Sequence, residues 1–335
     1  MFSLLSTLQR MLGTASSSTR TRSVSEGRTT RRRRPPRHQT TRRLLVESLE
    51  TRAVFDASFG AVATFGSSGY DAAFDVATDT SGNAYSTGYF SGTVDFDPAA
   101  DHADISDIRT AGGERDVFVM KQALNGSLLW VTQMPGTAGT STSIARSIAV
   151  DAAGNAYVGG DFSGTMSAGA STLTSEADKD AFVAKLAADG TVAWAARYDG
   201  LGKEIVDGVA VDPSGNLLAA GYTIKQNADG TFTYSNIQIA KFSPTGSSLW
   251  LKQLGNSTGT SGGEAAHAVA ADAAGNIVVA GQFRGTVDFD PGSGTHNVAT
   301  TAKESGFVLK LTPTGGFAWV SDGHGRSSRI AASAL

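Results

Sequence analysis

Two short stretches of this chain carry paired carboxylates. Gly92-Thr93-Val94-Asp95-Phe96-Asp97-Pro98 returns as Gly285-Thr286-Val287-Asp288-Phe289-Asp290-Pro291. Asp95 and Asp97 are two positions apart, as are Asp288 and Asp290, so a strand would set each pair on one face. Neighbouring carboxylates are the beginning of a Ca²⁺ site, which needs six to eight oxygens. The related stretch Thr165-Met166-Ser167-Ala168 has no such pair. The first reading is therefore a strand end followed by turn-forming Asp-Pro, with calcium as the second. The other residue suited to chemistry is His267, a polar residue inside the apolar run Ala265–Ala271. The five histidines (His38, His102, His267, His296, His324) follow no triad order. No catalytic residue and no cofactor is assigned from these positions.

The elements that must hold such residues are set by a repeat. Asp-x-x-Gly-Asn occurs at Asp79–Asn83, Asp151–Asn155, Asp212–Asn216 and Asp272–Asn276. Nine residues after each Asp stands a glycine: Gly88, Gly160, Gly221 and Gly281. A second element follows each time, a Lys, a Gly five residues on and a Trp four further. Its copies are Lys121/Gly126/Trp130, Lys185/Gly190/Trp194, Lys241/Gly246/Trp250 and Lys310/Gly315/Trp319, which use all four tryptophans of the chain.

One unit reads as four short strands. In the second copy these are Ser147–Asp151, Ala156–Phe162, Asp180–Leu186 and Thr191–Arg197. Asp, Asn and Gly between the first two supply turn chemistry, and Ala188-Asp189-Gly190 is an Asp-Gly hairpin turn. The sequence predicts an all-β chain, made of four four-stranded antiparallel repeats of about 60 residues, each a β-propeller blade. The blades are expected near 70–135, 144–200, 205–256 and 265–322. The Asp then reads as a turn-former, the Lys as a surface or pairing residue, and the Trp as packing between blades.

On these residues the units resemble the SBBP-type β-propeller repeat, a Gly- and Asp-rich bacterial repeat of exported proteins. The resemblance covers about residues 58–335. The third copy departs most. Gln238 stands where the others have Phe118, Phe182 and Phe307, and Thr223 where they have Phe90, Phe162 and Phe283. Partial strands at 59–65 and 329–335 lead to the expectation of an incomplete propeller, truncated from a longer parent, with self-association through exposed blade faces. Gly259-Thr260-Ser261-Gly262-Gly263 is similar to the nucleophile loop of trypsin-like serine proteases. Thr260 replaces that loop's Asp, and the stretch reads as a loop between blades.

Residues 1–57 form a separate basic leader. Residues 1–58 hold twelve arginines, no lysine and four acidic residues, a charge of +8, and the remainder carries −11. Arg, Ser, Thr and Pro enrichment predicts a disordered tail. Aromatic residues are not interleaved and the body is acidic, which argues against nucleic acid as partner. No apolar run of 18 residues predicts a transmembrane helix. Residues 42–58, from Arg42-Arg43-Leu44-Leu45 through Glu50-Thr51-Arg52 to Ser58, resemble the Leu-Glu-Pro-Arg motif of surface proteins of planctomycete bacteria, with Ser48 at the proline position. That resemblance implies export, and so an extracellular or cell-surface location.

The expected function is a non-catalytic structural or interaction module that binds a protein or a glycan. The alternatives are a propeller enzyme, a lyase or hydrolase with its site near the central channel, and a calcium-dependent adhesin. His267 is the position on the inner strands that the enzyme reading singles out.

Overall fold

The computed structural model describes residues 64–97, 107–137, 139–176, 178–198, 202–226, 232–255 and 263–323. The basic leader, the motif at 42–58, most of the expected partial strand at 59–65 and the one at 329–335 lie outside these residues. Every regular element described is a strand, in four antiparallel four-stranded sheets and three two-stranded ones. The first blade holds β1 (Ala72–Thr78), β2 (Ala84–Phe90), β5 (Asp116–Gln122) and β6 (Leu128–Met134). The second holds β7 (Thr142–Val150), β8 (Ala156–Ser163), β11 (Asp180–Leu186) and β12 (Val192–Tyr198). The third holds β13 (Lys203–Val211), β14 (Leu217–Gln226), β15 (Phe232–Phe242) and β16 (Ser248–Leu254). The fourth holds β17 (Ala265–Ala271), β18 (Ile277–Phe283), β21 (Ser305–Leu311) and β22 (Phe317–Gly323). These are β-propeller blades, each a meander in chain order.

The connection between second and third strands differs from a simple polar loop. In the first, second and fourth blades it carries a small hairpin of its own: β3 (Thr93–Asp95) with β4 (Ile108–Thr110), β9 (Thr165–Ala168) with β10 (Ser171–Thr174), and β19 (Thr286–Asp288) with β20 (Asn297–Ala299). Among the described residues the third blade has none, and β14 and β15 run on as a longer pair.

Where a blade lies between two others both faces are covered, and the middle strands β8 and β11 bury nearly every residue rather than alternate residues. Val183 and Phe182 in β11 are both fully buried. Phe182 packs among residues of the first and second blades, whereas Val183 packs among those of the second and third. The first strand of each blade packs on the first strand of the next, β1 on β7, β7 on β13 and β13 on β17. These are the inner strands.

The two repeated motifs are parts of one device. Asp79 accepts hydrogen bonds from the backbone N–H of Ser81 and of Asn83, and the same Asx turn recurs at Asp151, Asp212 and Asp272. The motif lysine then pairs with that Asp across the sheet: Lys121–Asp79 at 3.2 Å, Lys241–Asp212 at 2.8 Å and Lys310–Asp272 at 2.9 Å. In the second blade Tyr157 bonds Asp151 at 3.1 Å and Lys185 lies 5.0 Å over the Tyr157 ring. The Asn83 and Asn276 side chains, with the lysines, hold Asp79 and Asp272 well below the usual carboxylate range. Burial alone would raise Asp212, but Lys241 and Asn216 outweigh it and lower it.

The motif tryptophans of the first three blades reach the next blade. Trp130 Nε1 donates to the Ala188 carbonyl at 3.0 Å, and Trp194 Nε1 to that of Pro244 at 3.0 Å. The turn glycines Gly190, Gly246 and Gly315 lie beneath Trp130, Trp194 and Trp250, with room for no further carbon at the first two. They also take positive φ of 87°, 87° and 81°. One glycine thus serves both the hairpin turn and the seam between blades.

Candidate functional site at the inner strands

The glycine nine residues after each Asp explains how the site is built. An added Cβ on Gly88, Gly160, Gly221 or Gly281 would sit 1.9, 1.9, 1.8 or 2.0 Å from an inner-strand carbonyl oxygen. Those oxygens belong to Ala72, Ile144, Ile205 and Ala265. The inner strand is pressed onto the glycine because it carries a β-bulge there. One extra residue is inserted between Ala73 and Asp75, Ala145 and Ser147, Val206 and Gly208, and Ala266 and Ala268. A bulge of this kind re-aims a side chain. The four inserted residues are Phe74, Arg146, Asp207 and His267.

Three of the four meet. Asp207 Oδ2 lies 2.9 Å from His267 Nδ1, and Asp207 Oδ1 lies 3.9 Å from an Arg146 guanidinium nitrogen. Arg146 Nε donates to Asp161 Oδ1 at 2.5 Å, and Lys179 donates to Asp161 Oδ2 at 2.9 Å. Asp161 is buried, while Arg146, Asp207 and His267 are partly open to solvent. The result is a continuous chain of polar contacts, from Lys179 through Asp161, Arg146 and Asp207 to His267, across the second, third and fourth blades. Burial alone would lower the Arg146 guanidinium, but Asp161 and then Asp207 outweigh it and keep it firmly protonated. Tyr222 stands edge-on to the His267 ring at 6.2 Å.

The first blade presents something different at the same level. Phe74 is half exposed and lies 5.8 Å from the Tyr89 ring. Tyr89 occupies the position of Asp161, one residue after the strand glycine. Arg115 covers the Tyr89 ring at 4.8 Å and approaches exposed Tyr70 at 5.9 Å. The inner rim thus runs from an aromatic patch to a charged one.

The residue after each bulge ties neighbouring inner strands together. Asp75 accepts from Ser147 Oγ and from Ile148 N, both at 2.9 Å, and Ser147 Oγ in turn accepts from Val209 N at 3.2 Å. In the third blade this residue is Gly208, where an added Cβ would lie 3.0 Å from Ala268 Cα. The bulged side chains are therefore set on closely spaced backbones.

His267 is not the single polar residue of the inner strands, as the Ala- and Val-rich pattern suggests; Arg146 and Asp207 are its structural equivalents. The signal that finds them is a fixed offset. Phe74, Arg146, Asp207 and His267 each stand five residues before the motif Asp. Because their types share nothing, a search for repeated residues passes over them.

The paired aspartates are used locally. Asp95 ends β3 and Asp97 lies beyond it, so the two do not share a strand face. Asp95 Oδ1 accepts from Asp97 N at 3.0 Å. Asp288 Oδ1 accepts from Asp290 N and His296 N, and Asp290 Oδ1 from Gly292 N. These are turn bonds to N–H groups. Among the described residues, no group of three or more His, Asp and Glu side chains is gathered as a metal ion requires. Of the stretch Gly259–Gly263, only Gly263 is described.

Residues 129–161 match the SBBP beta-propeller repeat. That span runs from the outer strand of the first blade to Asp161 in the second, so it holds one seam between blades. An uncharacterised WD repeat-containing protein of Acanthamoeba polyphaga mimivirus is 27% identical over 237 residues, 60% of this chain and 17% of that protein. The chain therefore spans about a sixth of that relative's length. Among solved structures, an arabinanase of Bacillus subtilis aligns at 12% identity over 73% of this chain and 76% of its own, with a TM-score of 0.32. The WD40 domain of Neurospora crassa Pan2 aligns at 10% identity over 72% and 83%, with a TM-score of 0.27. No helix among the described residues is long and apolar enough to cross a membrane.

Proposed function

We propose that the chain is an exported or cell-surface binding scaffold, non-catalytic, whose blades hold a recognition surface for a protein or glycan at the inner rim. One observation carries this reading. The Asp-x-x-Gly-Asn, strand-glycine and Lys–Gly–Trp positions repeat in all four blades, whereas the bulged position differs every time, as Phe74, Arg146, Asp207 and His267. A scaffold that keeps its turn and seam motifs while changing the re-aimed side chain in every blade is built as a display. Aromatic faces at Tyr70, Phe74 and Tyr89 beside fixed charges suit partners with both apolar and hydrogen-bonding surface. The test is a glycan array and a pull-down from cell-surface fractions, run with the parent, Phe74→Ala and His267→Ala. A ligand held by the parent and lost by both variants, with circular dichroism unchanged, supports the reading. A ligand held equally by all three overturns it.

A second reading has its own observation. His267 Nδ1 at 2.9 Å from Asp207 Oδ2 is the geometry in which a carboxylate orients an imidazole for general-base work. A hydrolase or lyase built on this pair would lose its turnover in His267→Ala and Asp207→Asn alike. Turnover that survives His267→Ala removes this reading.

A further inference from the structure

The four blades make comparable seams, and one of them is built of different material. At the first seam Met134 of β6 packs with Phe162 and Phe182 of the second blade, and Met166 from the β9–β10 hairpin joins them. At the third seam Leu254 of β16 packs with Phe283 and Phe307 of the fourth blade, with Phe289 beside its small hairpin joining them. The front of the first blade repeats the pattern, with Phe65 at 5.0 Å from Phe96 and 5.2 Å from Phe118. At the middle seam the corresponding residues are Tyr198, Thr223 and Gln238, and among the described residues the third blade has no small hairpin.

Strand parity puts all three on that seam. Ile237 and Ile239 pack toward the fourth blade, whereas Ala240 packs in the cluster that holds Tyr198, Ala219 and Leu217. Gln238 shares the face of Ala240, and Thr223 shares the face of Ala219 and Leu217. All three side chains are buried: Tyr198 is 2% exposed, Thr223 1% and Gln238 0%. The Tyr198 hydroxyl and both amide atoms of Gln238 have no hydrogen-bond partner among the described residues. Buried Glu204 flanks them, and burial together with its charge pushes the Tyr198 hydroxyl well above its ordinary value, so it keeps its proton and donates.

Buried polar atoms of this kind are satisfied by something, in nearly every protein. Thr and Gln are smaller than the two phenylalanines they replace and Tyr198 is larger than Met134 and Leu254, so the seam exchanges apolar rings for buried polar groups. We propose that the seam between the second and third blades is an internal hydration site. One or more ordered waters bridge the Tyr198 hydroxyl and the Gln238 amide, taking the place of the phenylalanine plug of the other seams. Water fits the chemistry required, since it accepts from the tyrosine and from the amide N–H and donates to the amide oxygen.

A crystal structure of the whole chain at a resolution that reveals ordered solvent tests this directly. Water within hydrogen-bonding distance of both Tyr198 and Gln238 is the expected result. A dry seam, or side chains that bond each other or a neighbouring backbone group instead, overturns the proposal. The triple variant Tyr198→Met, Thr223→Phe, Gln238→Phe installs the residues of the first seam. In solution, the Gln238 side-chain amide of the parent should show NMR magnetisation transfer from long-lived water, and the variant should melt at a higher temperature. Absence of that transfer in the parent counts against the site even if the variant does not fold.

Discussion

The smallest feature that matters is a missing carbon. Gly160 faces the Ile144 carbonyl oxygen at a distance no Cβ can occupy, because the bulge at Arg146 pushes the inner strand against it. A larger residue there must flatten the bulge and turn Arg146 away from Asp161 and Asp207. We expect Gly160→Ala to cost about 3 kcal/mol or more, in the range of the overpacked or strained sites that head mutational lists. Urea unfolding of the variant measures it. A loss within about 0.5 kcal/mol, as at an ordinary surface site, would show that the strand slides freely and that the glycine does not hold the bulge.

At the scale of the element, the Asx turn and the lysine of the third strand act together, and their charge makes a pH statement. The carboxyl of Asp212 is lowered from 3.8 by its Lys241 and Asn216 contacts, against the opposing effect of burial. A carboxyl with a lowered folded value contributes stability that is complete above its unfolded value and fades as pH falls through the folded one. Asp212→Asn leaves the buried Lys241 ammonium without its carboxylate and should cost about 3 kcal/mol at pH 7. Its loss of stability on acidification below pH 4 should be shallower than that of the parent. Unfolding curves taken across that range compare the slopes, and identical slopes would mean that the pair is not formed in solution.

Much of this element was legible, and the limits have physical causes. Turn residues and the Lys–Gly–Trp spacing recur because every blade needs the same φ values and the same contact with its neighbour, so repetition in the sequence reports them. The inner strand is observed as Thr142–Val150 against the expected Ser147–Asp151, five residues earlier at its start, because a bulge breaks the alternation on which strand reading depends. The small hairpins were not seen, since β3, β4, β19 and β20 are three residues each. The site was the least legible part. Arg146 and His267 come together only through Asp207 on the blade between them, a proximity that exists in the stacked blades and at no point along the chain.

Across the whole molecule, stability in a repeat protein is close to a sum of units and nearest-neighbour seams. Trp130 seals the first seam on the turn of the second blade, and Trp250 seals the third on the turn of the fourth. The two share no partner. Trp130→Ala and Trp250→Ala should each cost about 2–4 kcal/mol, below or within the range for buried aromatic residues since both are only partly buried. Their double variant should add to within about 0.5 kcal/mol. The inner rim should break this rule. Arg146 and His267 sit on blades that are not neighbours, yet both bear on Asp207. Removing either changes the contacts that hold Asp207 for the other. Arg146→Gln and His267→Ala should therefore couple, in a double-variant cycle read by urea unfolding, while the tryptophan pair does not. Additivity at both pairs would reduce the polar chain from Lys179 to His267 to a set of independent local contacts.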